Sequence, residues 1–94
     1  MRHATAASLH ALAPLLAQLR ALPGLVERRP GIFYLRAHAF LHFHEDAAGL
    51  FADVKLDRQR FERHTVSTPA QQQAVLAAIA RVLADGNPPR SLAQ

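Results

Sequence analysis

His42 and His44, with Asp53 a short way downstream, are the residues whose types and spacing bring most chemistry within reach. On a β-strand, His-x-His turns both imidazoles to one side, roughly 6.5–7 Å apart along the chain. With one carboxylate they make three nitrogen and oxygen donors, the number a catalytic zinc site takes from its protein. His42, His44 and Asp53 are therefore the candidate ligands of a divalent metal, the one cofactor these residues suggest. Nucleophilic catalysis finds less to work with. Ser8, Ser67 and Ser91 fall at a helix start, a cap and a tail, with no G-x-S-x-G elbow. Glu45 and Asp46 are adjacent carboxylates that a solvated turn explains. The four glycines lie far apart, so no phosphate-cradling loop is present. His38 and His64 read as surface residues, and the N-terminal context leaves His3 and His10 undetermined.

The hairpin that must position the histidines is Ala39–Leu56. Leu41 and Phe43 alternate on one face of its first strand, and Leu50, Ala52, Val54 and Leu56 on one face of its second. These sets line the same side only if opposed residue numbers sum to an odd number. A four-residue loop Asp46–Gly49 satisfies that condition, pairs Glu45 with Leu50, and puts Gly49 where a left-handed residue is needed. The register then sets Phe43 opposite Ala52 and Leu41 opposite Val54 on the face that helices cover. On the far face it sets His44 opposite Phe51, His42 opposite Asp53, and Phe40 opposite Lys55. Directly opposed Cβ atoms lie about 4.5–5.5 Å apart. A His42–Asp53 hydrogen bond or ion pair is expected, and it would favour the imidazolium form.

Around the hairpin, Leu9, Leu12, Leu16 and Leu19 mark a helical stripe that ends at Leu22-Pro23-Gly24. Pro14 falls inside the stripe, so the helix either begins near Ala13 or starts at Ser8 and bends. Glu27–Gly31 reads as a loop, Ile32–Arg36 as a strand and Ala37-His38 as a tight connection. A charged loop, Asp57–Arg60, leads to a further strand within Phe61–Ser67. Thr68-Pro69-Ala70-Gln71 is a capping box with proline at the first helical position, opening a helix that Asp85-Gly86-Asn87 stops. Residues 1–8 and 87–94 are expected to be flexible, around a structured core of about 9–86. Helix, three or four strands, helix argues for one α+β domain. It has two layers, an antiparallel meander with both helices on one face.

Ninety-four residues hold one core. The net charge of +4 comes from ten Arg and one Lys in small clusters, without the basic stripe that nucleic-acid binders carry. Without cysteine there is no disulfide and no thiolate chemistry. His10, Pro14 and Gln18 interrupt the apolar N-terminal run, which argues against a secretion signal. No stretch is long enough to span a membrane, and a cytoplasmic location follows as the default.

The far face combines Tyr34, Phe40 and Phe51 with Arg36, His42, His44 and Lys55. Aromatic residues among cations stack on single-stranded bases, so weak nucleic-acid binding is one reading. The preferred one is a homodimer through this face, because so small a domain buries only roughly 60–65% of the surface its unfolded chain exposes. The run Ala21–Glu27, with Ala39–Asp46 and Asp53–Leu56, resembles a family of small uncharacterised bacterial domains labelled "luciferase family" or "luciferase-domain" proteins. A fainter similarity links the leading helix, the Leu22-Pro23-Gly24 turn and the antiparallel sheet to MmcQ/YjbR-like proteins, often labelled DNA-binding. Either resemblance implies the α+β fold, and neither supplies catalytic residues. Together the residues and the resemblance imply a binding or interaction domain built around Tyr34, Phe40, His42, His44, Phe51, Asp53 and Lys55. A metal-dependent activity at His42, His44 and Asp53 is the alternative.

Overall fold

The computed structural model describes residues 2–85. Along these residues run β1 (Arg2–His3), α1 (Ala6–Ala11), α2 (Ala13–Arg20), β2 (Leu25–Arg29), β3 (Ile32–Leu35), β4 (His38–Asp46), β5 (Gly49–Val54), β6 (Glu62–Thr65) and α3 (Pro69–Asp85). The fold is α+β, with one open antiparallel sheet in the order β2-β3-β4-β5-β6. β1 lies off that path and pairs with the end of β4 that β3 leaves free.

The helices pack on one face of the sheet. Leu12, Leu15, Leu16 and Leu19 from the first helical segments meet Val75 and Ile79 of α3 over Phe33, Leu41, Phe43, Ala52 and Val54. Pro14 has no N–H to donate, and the helix divides there: α1 ends at the Leu12 junction and α2 restarts with the proline in its first turn. The capping box of α3 forms as the sequence requires. The Gln71 amide donates to Thr68 Oγ1 at 3.2 Å, and the Thr68 amide donates to Gln71 Oε1 at 3.1 Å. No described helix is long and apolar enough to cross a membrane.

The hairpin register is the expected one, from Glu45 opposite Leu50 to Leu41 opposite Val54, but Asp46 also pairs with Gly49, so the loop is Ala47-Ala48 and not the four residues expected. Gly49 has φ +139°, a backbone conformation that disfavours any side chain.

Four further expectations need correction. Residues 2–8 are not a loose end: Arg2 and His3 pair with Glu45 and His44, and Thr5 caps α1. Glu45 explains why they are held. Its carboxylate accepts from the Arg2 guanidinium, the Thr5 amide and hydroxyl, and the Ser8 hydroxyl. Second, Glu27–Gly31 is mostly strand, because Leu25 pairs with Leu35 and Glu27 with Phe33 while the tight turn occupies only Pro30-Gly31. Third, β1 and β2 bring the sheet to six strands, beyond the three or four expected. Fourth, Phe40 does not join the far face. One β3 step, from Phe33 to Tyr34, spans two β4 residues, from Leu41 to Ala39, so Phe40 is the extra residue of a bulge. It is 2% exposed and belongs to the core. The expected flexible segment 87–94 lies outside the described residues.

Candidate metal centre

The far face is ordered in two cross-strand rows. Ile32, His42, Asp53 and Arg63 oppose one another across β3, β4, β5 and β6. His3, His44, Phe51 and Thr65 do so across β1, β4, β5 and β6. Directly opposed residues of an antiparallel pair project to the same side, as do residues two apart in a strand. Pairing alone therefore brings His3, His42 and His44 together with Asp53 and Arg63.

The three imidazoles form a compact cluster. His3 stacks on His44 with centroids 4.7 Å apart and an interplanar angle of 30°, and His42 meets His44 edge-on, also at 4.7 Å. One ring nitrogen from each of His3, His42 and His44 lies within 4.8 Å of the others. His44 Nε2 is 2.7 Å from His42 Nδ1 and 3.2 Å from Asp53 Oδ2, so a proton on Nε2 is shared between a ring nitrogen and a carboxylate. In the neutral ring that proton leaves the lone pair on His44 Nδ1. It is buried and has no hydrogen-bond partner among the described residues.

Asp53 differs from its expected role. It stands opposite His42 in register, but the Arg63 guanidinium takes both its oxygens, Nε to Oδ1 and a terminal nitrogen to Oδ2, each at 2.8 Å. A bidentate guanidinium outcompetes an imidazole for a carboxylate, so the direct His42–Asp53 bond does not form and Asp53 meets His44 diagonally instead. Arg63 holds the Asp53 carboxyl below its usual range, with smaller help from His44 and His42. The expectation that Asp53 would favour a charged His42 is also reversed. Burial, and then the neighbouring His44, pushes the His42 pKa below 6.5 against the opposing pull of Asp53.

Of the seven residues expected on this surface, His42, His44 and Asp53 meet at the cluster and Phe51 lies beside it in the second row. Tyr34 lies further along the sheet, with the Arg28 guanidinium 4.5 Å over its ring. Lys55 extends over the Phe61 ring at 4.8 Å. Phe40 is withdrawn.

Three contributors escape a reading of the sequence. Nothing in the pattern of residues 1–8 announces a two-residue strand carrying His3. Arg63 sits in a strand whose preceding loop fixes no register. Phe61, just before β6, lies edge-on to His42 at 4.7 Å and forms one wall of the site. Odd–even parity extended from the hairpin to β6 is the signal that places Arg63 on the Asp53 face.

The arrangement supplies three imidazoles of which one is biased to the neutral, ligating form, a carboxylate that orients one ring, and a cation that fixes the carboxylate. Metal-ligating histidines have this pattern, with the second ring N–H given to a carboxylate. No protein-family model, curated protein or solved structure matches the chain. The two resemblances drawn from the sequence remain expectations.

Proposed function

We propose that the protein is a metal-binding module, with His3, His42 and His44 donating nitrogen to a divalent ion of the zinc class. Asp53 and Arg63 orient the ligands from behind. The observation that carries this reading is the convergence of three imidazole nitrogens within 4.8 Å, on the sheet face opposite the described helices. Two further features support it. The lowered pKa of His42 keeps that ring in the state a metal requires, and His44 Nδ1 has no hydrogen-bond partner among the described residues. Imidazole nitrogens suit zinc, copper or nickel better than magnesium or calcium. Three protein ligands leave a coordination position for water or for a group from a bound partner. The described hydroxyls that donate to the Glu45 carboxylate, those of Ser8 and Thr5, hold β1 and the start of α1 in place, so binding is a better account than catalysis.

Zinc added to metal-free protein is expected to raise Tm, and His42→Ala is expected to remove that rise. A Tm unchanged by excess zinc would end the reading.

Self-association through the same face is a second reading, favoured by the exposed apolar side chains Val26 and Phe61, 55% and 41% accessible. Such exposure beside half-buried Ile32, Tyr34 and Phe51 suits contact with another copy. Light scattering with and without zinc separates a metal-linked dimer from a constitutive one or a monomer. Nucleic acid is less well supported as an occupant, since Phe40 is no part of the aromatic platform.

A further inference from the structure

At the end of the sheet remote from β1, three turns and the last part of α3 enclose two adjoining clefts. The first, about 250 Å³, is lined by Pro23 and Gly24 before β2, Leu35 and Arg36 at the β3–β4 turn, Arg58, and Val82 and Leu83 of α3. The second, about 240 Å³, shares Leu35 and Arg58 and adds His38, Ala39, Phe40 and Lys55. The floor is apolar. The polar lining is basic throughout, with Arg58 common to both clefts, and no carboxylate side chain of the described residues lines either.

The backbone there is costly. Arg36 and Ala37 have φ +54° and +71°, and Arg58 has φ +68°. These are the only non-glycine residues with positive φ among the described residues. A two-residue hairpin turn of this kind usually takes Asn-Gly, which adopts the conformation without a side-chain penalty. The left-handed region crowds the Cβ of an arginine against its own backbone, and such strain clusters at sites that clamp a ligand. Two of the three strained positions put an arginine on the same cleft.

We propose that this cleft binds a small amphipathic anion, with a short apolar body lying on Leu35, Phe40 and Leu83 and a carboxylate or phosphate head held by Arg58. A basic rim over an apolar floor is complementary to such a molecule and to neither a neutral lipid nor a bare inorganic ion. None of the cleft-lining residues is a proposed metal ligand, so anion binding does not require the metal.

The test follows backbone amide signals by NMR during titration with hexanoate, hexyl phosphate and hexan-1-ol. One or both anions are expected to shift signals of Leu35, Phe40 and Leu83. Each binding anion should bind about tenfold or more tighter than the alcohol, the effect of one charge-assisted hydrogen bond. The stronger of the two anions identifies the head group. Arg58→Asn removes the charge and installs a residue that tolerates positive φ. It should weaken binding about tenfold while raising Tm, and Lys55→Gln should weaken it less. Hexanol binding as tightly as the anions, shifts confined to other surfaces, or undiminished binding by Arg58→Asn would each overturn the proposal. So would a lower Tm for Arg58→Asn, which would mean that Arg58 serves the fold. EDTA-treated and zinc-loaded protein should behave alike, so failure here leaves the metal reading standing and the reverse also holds.

Discussion

His3 and His44 stand directly opposite each other in the β1–β4 pair, their rings stacked 4.7 Å apart. The third imidazole of the cluster therefore arrives on the shortest strand of the sheet, and the site depends on how that strand is held.

His3 is exposed and makes no core contact that the fold requires. His3→Ala should leave the metal-free Tm close to that of the parent while sharply reducing the rise produced by zinc. For the parent, free zinc at a hundred times Kd should add about 2.7 kcal/mol. Calorimetric melting of both proteins with and without zinc reads the difference directly. An equal rise in the variant would remove His3 from the ligand set.

Glu45 is the anchor of β1. Hydrogen bonds from Ser8, Thr5 and Arg2 hold its carboxyl at about 2, against an ordinary value of 4.5. A carboxyl depressed in the folded state stabilises above its unfolded value and ceases to do so as pH falls through the folded one. The stability of the parent should therefore decline between about pH 4.5 and 2 through this group, and Glu45→Gln should flatten that part of the curve. The same variant should lose hydrogen-exchange protection at the Ala4 amide, which donates to Phe43 O at 3.1 Å. It should also bind zinc more weakly, because β1 carries His3.

Asp53→Asn keeps the shape of a buried side chain but removes the charge that Arg63 grips. Arg63 is about half exposed and can turn to water, so the loss of stability should be about 1–2 kcal/mol by urea denaturation. Zinc affinity should fall about 10–100-fold, the usual effect of disturbing a group that orients a ligand. A variant with unchanged zinc affinity would show that His44 needs no orienting carboxylate.

Gly49→Ala should be among the most damaging single-methyl additions to this chain. The added Cβ would collide with Ser67 Oγ, and φ +139° is strained for any side chain. A loss of about 1–3 kcal/mol is expected. Ser67→Gly in the same chain should recover only the part due to the collision, leaving the backbone strain. Full recovery in the double variant would assign the whole effect to the contact.

The β4–β5 register was legible because two independent constraints, the phase of Leu41, Phe43, Ala52 and Val54 and the turn chemistry of Gly49, allow one solution. The cap of α3 was legible because it is encoded within four consecutive residues. β2 was not, since Leu25–Arg29 is an edge strand with charged residues and little alternation, fixed by pairing to β3. The Phe40 bulge and the Arg63–Asp53 pair depend on the neighbouring strands β3 and β6, whose registers no local pattern sets. The candidate site was thus half readable. The hairpin places His42, His44 and Asp53, while the partners that decide their chemistry come from distant segments.

The unequal reach of the two pairings made by β4 has a kinetic consequence. Its hairpin with β5 closes over a two-residue turn, whereas pairing with β1 must gather the whole intervening chain through both N-terminal helical segments, β2 and β3. Loop-closure entropy favours early formation of the first pairing and late arrival of the second. His42 and His44 would then be in place before His3 docks. A refolding experiment that follows zinc capture would report the last step of assembly, and a zinc signal that lags behind the backbone signal would be the signature of that order.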